Sequence, residues 1–576
     1  MDRQRPDTTR NEIDLYIRTY YSLLRSTGYI RVRSLEETHA FSKSSLHLGA
    51  RRLQPDISAF GYAATRLPDC MPSTKQLIFG QSEEQFATFG YEVQKWERVA
   101  ARGRRRPIRY NGTDTLAVFI ASASDIDDLV PIIVAYQIEW NKMHALLVAS
   151  SLGKQLAASS IAADDPDLPE ELESILNLPD DHLDKLMVAL GEKPHQALIA
   201  IASDIADFRL RLLAASFNQY QRAAQHWWHS IESLYPNPDE LLKRPVYFVS
   251  SNTHSLANLL SGYALAHKEE LLLTAQRETS PVFQRDLQQA LNENRDNAAN
   301  YLYFVLREHI RRSQDRQSLV QTWDAANGII TAPDPGHIEV AAQLIEINKL
   351  DPTNFDPRLQ MPYLEHLRKS DAVIINIDYP LGLAAYQLLS RVGQGIGSLR
   401  GIFVMGKAAT LNGRVGDVMI SSTVFDEHSK NTYILLNDFI ADDIAPYLKH
   451  GSVLDNQKVL TVRGTFLQNR KYMSVFYREG YTVMEMEAGP YLSAIYELLD
   501  PRRHPRDEII NVGGHTPYPI GFLHYASDTP YSRRQSLLSR SLSYFGMDAT
   551  YACATAIARR ILSQEISTQL NFFTSS

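Results

Sequence analysis

The sequence predicts an α/β chain in two parts: a mostly helical region over residues 1–355 and an α/β unit over residues 356–576. Three observations carry this prediction. At 576 residues the chain exceeds what one hydrophobic core usually organises. Its first part is dominated by apolar residues at helical spacing, beginning with Ile13, Tyr16, Ile17, Tyr20, Tyr21 and Leu24. From about Lys369 onward, short apolar runs alternate with amphipathic stretches, as buried strands alternate with helices.

Hydrophobic content of 44% and charged content of 22% exclude a disordered chain. A net charge of -7 lacks the basic footprint of a general nucleic-acid partner. Cys70 and Cys553 are too few for a disulfide framework or a cysteine-rich zinc site, and no metal or other cofactor is expected. The start has no apolar core of a secretory signal. The longest apolar run, Leu129 to Ile138, is too short and interrupted to span a bilayer. A soluble, cytoplasmic protein with no membrane partner is expected.

In chain order, residues 83–100 read as a helix ending at Arg102-Gly-Arg-Arg-Arg106. That run can grip phosphate or RNA, but the acidic chain and the lack of interleaved aromatics favour a solvated loop. Thr115 to Ala121 reads as a strand, followed by a long helix opened by Ser124 and Asp125, with Pro131 in its first two turns. Residues 160–183 read as a surface connection, and 203–234 as a helix whose Trp227, Trp228 and His229 suggest packing rather than ligation. Arg244 to Ser250 reads as a strand, capped into a helix by Ser251 to His254. Residues 282–313 are helical, and breaks fall at Pro333 to Gly336 and Asp351 to Pro357. None of this names a function.

The second part carries the strands Ala372–Ile377, Gly401–Met405, Asp417–Ser421, Val459–Val462, Thr482–Met484 and Ile520–Tyr525. Its glycines and acids fall at strand ends, where open sheets place ligands. Tyr481-Thr-Val-Met-Glu-Met-Glu-Ala-Gly-Pro490 stands out, because Glu485 and Glu487 meet at a strand-to-helix turn and can share one face. Buried carboxylates need partners, and a sugar supplies paired hydroxyl donors. The plainer alternative is a solvated acidic turn at a helix N-terminus.

Four pieces in order then resemble a known family: Asp378-Tyr-Pro-Leu-Gly-Leu-Ala384; Gly406 to the Gly416-Asp417 pair; Gly464-Thr-Phe466 followed about twenty residues on by Glu485-Met-Glu-Ala488; and Ser527-Asp528 after the last strand. From about Asp371 to Leu562 the chain resembles the nucleoside phosphorylase and nucleosidase superfamily, which includes purine nucleoside phosphorylase, methylthioadenosine nucleosidase and AMP nucleosidase. The resemblance implies a three-layer α/β/α unit with a central mixed sheet, a nucleoside or nucleotide ligand, and a homo-oligomer. It implies that Met486 and Glu487 hold the ribose, and that Glu485 positions sugar or nucleophile. Asp528, beside Ser527, would protonate the purine at N7, and Phe466 would stack on the base. The alternative for Asp528 is the N-cap of a helix starting near Tyr531.

This chain departs from the phosphorylases where they grip phosphate. The first-turn arginine position reads Gly382, the strand-end arginine position Val404, and the serine position Lys407. Losing both fork-shaped donors favours hydrolysis over phosphorolysis, with Asp378, Glu485 or Glu487 activating water. Lys407 is then free to bind a phosphate already on the substrate. A pocket that binds without catalysis is the third reading. Gly401 to Lys407 has P-loop spacing, but Ala408 replaces the magnesium-binding hydroxyl, and Gly393-Gln-Gly-Ile-Gly397 precedes a strand where a dinucleotide fingerprint follows one.

Overall fold

Among the described residues, two sheets organise the chain. The computed structural model describes residues 9–26, 28–163, 165–179, 181–213, 216–277, 298–333, 338–501, 503–529 and 544–574. The first sheet comprises β1 (Ile30–Arg31), β2 (Gln76–Gly80), β3 (Glu97–Ala101), β4 (Arg104–Tyr110), β5 (Thr115–Phe119) and β6 (Arg209–Leu212), in the order β1-β6-β2-β5-β4-β3. The helices α1 (Thr9–Ser26) and α2 (Ala123–Val148) belong to this part.

Several local expectations change here. The helix expected over 83–100 covers only Glu83–Thr88, because Gly90 turns the chain at φ 85° and residues 97–110 pair as the hairpin β3–β4. The arginine run is therefore half strand, not a loop. The helix expected from 203 starts only at Phe217, because residues 209–212 pair with both β1 and β2. The stretch 160–183 contains a helix, Leu168–Leu176, that buries Leu168, Leu172 and Leu176 at a spacing of one turn. Pro131 is the ninth residue of α2, later than expected, and the helix continues through it. Proline cannot serve the Asp127 carbonyl one turn back. That carbonyl faces Gly464, where a Cβ would come within 2.8 Å of it.

The second sheet comprises β7 (Pro245–Ser251), β8 (Ile329–Thr331), β9 (Ala342–Glu346), β10 (Val373–Asp378), β11 (Ser398–Thr410), β12 (Val418–Asp426), β13 (Thr432–Ile434), β14 (Val453–Thr461), β15 (Tyr481–Glu485), β16 (Ile509–Asn511) and β17 (Ile520–Asp528). The boundary expected at residue 355 falls inside this sheet. β7 lies between β10 and β11, parallel to both, so residues well before 355 build its centre. A fully buried apolar strand carries no sign of its partners in its own sequence.

The helices α3 (Phe217–Glu232), α5 (Leu383–Gly395) and α6 (Ala488–Leu499) cover one face of the sheet; α4 (Ala298–Arg312) and α7 (Tyr544–Thr574) cover the other. Alternate residues of single strands feed the two cores: Val246 and Phe248 one, Tyr247 and Val249 the other. The result is a three-layer α/β/α arrangement around a mixed sheet. The expected helix 282–313 is seen as α4, and its first part, like the break after Pro333 and any helix after Asp528, lies outside the described residues. The glycines of 393–397 serve packing, with Gly393 against Leu498 and Gly395 against the buried Trp228. Residues 401–407 are strand throughout. Among the described residues no helix is long and apolar enough to cross a membrane.

Candidate active site

Five strands of the second sheet close on themselves: β11 pairs β17, β17 pairs β12, β12 pairs β14, β14 pairs β15, and β15 returns to β11. Closure brings together residues far apart in sequence. Ala409 of β11 is in register with Asp528 on one side and Met484 on the other. Asp528 and the Glu485–Glu487 turn are thus about 10 Å apart across two strand spacings.

Glu485 turns inward. Its Oε1 accepts the Thr461 hydroxyl at 2.5 Å, and its Oε2 accepts the backbone N–H groups of Glu487 and Ala488 at 2.6 and 2.7 Å. His524, 3.9 Å from Oε2, is held neutral, its pKa pushed down to about 4 by burial. Glu485 therefore ties off the first turn of α6 and presents no carboxylate to a ligand, which removes it as the expected positioner of sugar or nucleophile.

Glu487 occupies the N-cap position of α6, half-buried, and its Oε1 accepts the Gly382 N–H at 3.1 Å. Burial drives both carboxyls above the ordinary range, and for Glu485 the charge of Glu487 adds to it.

The Gly382 turn is locked by the first part of the chain. Ser124 Oγ accepts the Leu383 N–H at 2.9 Å, and a Cβ on Gly382 would meet that oxygen at 2.2 Å. With φ at 53° as well, no arginine fits where the phosphorylases carry one. Gly382→Ala is expected to cost about 1–3 kcal/mol from backbone conformation alone. Denaturant titration of both proteins checks this, and Ser124→Ala in the same background should recover only the collision part. Val404, the other departed position, is buried.

Two cavities open at these strand ends. The first, about 320 Å³, is lined by Met486, Asp378, Pro380 and Thr465 of the second part, and by Tyr62, Arg66 and Arg104 to Arg106 of the first. Strand alternation explains the arginine run. Arg104 and Arg106 point back to the buried Asp125, at 3.3 and 3.1 Å, while Arg105 points forward to Asp378 at 2.5 Å. Asp125 also accepts the N–H groups of Ala121 and Ser122 and so completes the capping box of α2. The second cavity, about 460 Å³, shares Arg105, Asp378 and Tyr379 with the first and adds Lys407, Arg307 and Arg311.

Asp528, outside the lining of both cavities, lies within electrostatic reach of Arg66 in the first and Lys407 in the second. Its Oδ2 accepts the Ser527 hydroxyl at 2.9 Å, while its Oδ1 has no donor among the described residues. Burial pushes its pKa above the usual carboxylate range, against the Ser527 bond and the Arg66 and Lys407 charges. Phe466 does not offer a face to a base: it is buried, with its ring edge-on to Tyr62 at 5.4 Å and beside His39 and His47. The aromatic rings at the cavity wall are instead Tyr62, with the Arg66 guanidinium 3.4 Å from its ring centre, and Tyr379.

The structure thus gathers Met486, Glu487, Asp378, Asp528, Ser527 and Lys407 at one end of the sheet, and sets Glu485 and Phe466 behind them. Tyr62, Arg66, Arg307 and Arg311 were not anticipated. The four-residue spacing of Arg307 and Arg311 is legible in sequence, but nothing in it points toward this cavity.

Among solved structures, the chain is similar to an S-adenosylhomocysteine nucleosidase from Streptococcus pyogenes at 8% identity, covering 56% of this chain and 97% of that one, TM-score 0.31. A 5′-methylthioadenosine/S-adenosylhomocysteine nucleosidase from S. pneumoniae matches at 9% identity over 55% and 99%, TM-score 0.29. A uridine phosphorylase from Vibrio fischeri matches at 7% over 42% and 87%, TM-score 0.29. No curated protein matches the chain. One family model matches residues 32–563, which hold both cavities and, among the described residues, every strand of the two sheets but β1, and by that match the chain belongs to DUF6909, a family of unknown function.

Proposed function

We propose that this end of the sheet binds a purine nucleoside or nucleotide and hydrolyses its N-glycosidic bond. The observation that carries the reading is that closure of the strand ring sets Asp528, whose pKa burial raises, about 10 Å from the turn bearing Met486 and Glu487. The resemblance of the sequence motifs supplies the substrate class. The C1′–N9 bond breaks with its electron pair moving into the purine, and the Asp528 carboxyl gives its proton to N7. Positive charge develops on the ribose, whose hydroxyls bond to Glu487 while Met486 packs beside the ring. A water oxygen bonds to C1′, and its proton leaves to the Asp378 carboxylate.

Release of free base from a panel of purine nucleosides and nucleotides tests the reading. Stoichiometric binding without turnover would replace it with a nucleotide-binding regulator. The homo-oligomer implied by the resemblance is checked by sedimentation at assay concentration, since Tyr62, Arg66 and Arg104 of the same chain already close one wall.

The role of Asp528 has a pH signature. Burial raises its pKa, and only the protonated form donates, so kcat/KM should fall as pH rises through that raised value. Asp528→Asn should remove this limb and lower the plateau by about 10²–10⁴-fold. A variant keeping both the limb and most of the rate assigns the proton to another group.

A further inference from the structure

The geometry points to the second cavity as a phosphate site serving the adjoining cleft: the molecule cleaved there carries a phosphate, or is attacked by one. This inference rests on the glycosidase reading and names its substrate class.

Four basic side chains line the cavity. Lys407 comes from the end of β11, Arg105 from β4 of the other sheet, and Arg307 and Arg311 from one face of α4. Against them the described lining holds two carboxyls, Asp324 and Asp378. Asp378 is taken up by Arg105, and Asp324 accepts the Ser261 hydroxyl, with its pKa pushed up to about 6 by burial. Glu308, on the same helix, neutralises part of the Arg307 and Arg311 charge.

Lys407 has no carboxylate within ion-pair distance among the described residues. Its ammonium is pushed below the usual range by its surroundings, and then by Arg105 and Arg307. The same cations, after burial, push His254 at the cavity wall down to about 3, which keeps it neutral. Arg105, Arg311 and Lys407 are exposed and Arg307 half-buried, so solvent and the carboxylates of Asp378, Glu308 and Asp528 offset part of their repulsion; a bound anion bridging the four would offset the rest.

A carboxylate carries one charge, whereas phosphate carries up to two and matches the forks of several arginines at once. Placement agrees with this chemistry. Arg105, Asp378 and Tyr379 are common to both cavities, so an anion on Lys407 lies beside the reacting sugar. Of the three positions where the phosphorylases grip phosphate, Gly382 and Val404 are closed and Lys407 faces this cavity, while Arg105, Arg307 and Arg311 come from elsewhere in the chain.

The test compares the full-length protein with Lys407→Ala/Arg311→Ala, whose side chains face the cavity rather than the core, with melting curves confirming the fold. Inorganic phosphate is titrated calorimetrically into both. Base release is then measured from a purine nucleoside, from that nucleoside with inorganic phosphate, and from its 5′-monophosphate. Phosphate is expected to bind the natural protein and to be lost from the double variant.

One phosphate-bearing arm should exceed nucleoside alone by about ten- to hundred-fold in kcat/KM, and the variant should bring that ratio toward one. A gain with the monophosphate assigns the phosphate to the substrate. A gain only with free phosphate assigns it as nucleophile, its oxygen bonding to C1′ in place of water's to give ribose 1-phosphate. Absence of phosphate binding together with equal rates in all arms overturns the site. Phosphate binding that the variant loses, with no base released in any arm, keeps the site and removes the glycosidase reading.

Discussion

Glu487→Ala is expected to lower kcat by about 10²–10³-fold while leaving the fold intact. In the proposed mechanism the carboxylate contacts the sugar as positive charge develops there, so its loss falls on the transition state more than on the ground state. Structurally the truncation is mild. Glu487 is half-buried and serves one backbone donor, the Gly382 N–H, whose loss is worth about 1 kcal/mol. Steady-state kinetics alongside denaturant titration separates the two effects. Activity within a few-fold of the natural protein, on an intact fold, would mean that the ribose is held by something else. Glu487→Gln keeps the acceptor for Gly382 but not the charge, and should recover stability without recovering rate.

Glu485→Ala is expected to do the reverse, costing about 3–5 kcal/mol of stability. The side chain is buried and satisfies three donors, the Thr461 hydroxyl and two N–H groups at the start of α6. Thr461 also accepts the Gly489 N–H, so the loss spreads into the next residue of that helix. Gly489 itself packs against Asp426, where a Cβ would come within 2.5 Å, which leaves the turn little room to relax. Urea titration measures the cost. A Glu485→Ala protein of normal stability but without activity would restore the direct chemical role that the sequence suggested.

These neighbouring glutamates show where sequence reading stops. Their spacing, at a strand-to-helix turn, was legible as a motif, and period-two alternation suggested that they share a face. Only the fold decided that Glu485 bends back to cap α6 while Glu487 faces the Gly382 turn. That choice depends on Thr461, which β14 brings alongside through pairing no local pattern encodes.

The sequence by itself determined most strands and helices of the second part and its buried sheet, and it singled out Met486, Glu487, Ser527 and Asp528 as candidates. Apolar periodicity and turn chemistry are local, and local signals survive without a structure. The tertiary structure alone decided that β7 belongs at the centre of the second sheet, that Phe466 packs into the first part's core, and that Arg105 reaches Asp378. Each of these is a contact across more than a hundred residues, or between faces of different sheets. A charge run looks solvated in sequence because its partners, here Asp125 and Asp378, are elsewhere in the chain. Strand pairing and burial set those partners, and both depend on the whole chain folding at once.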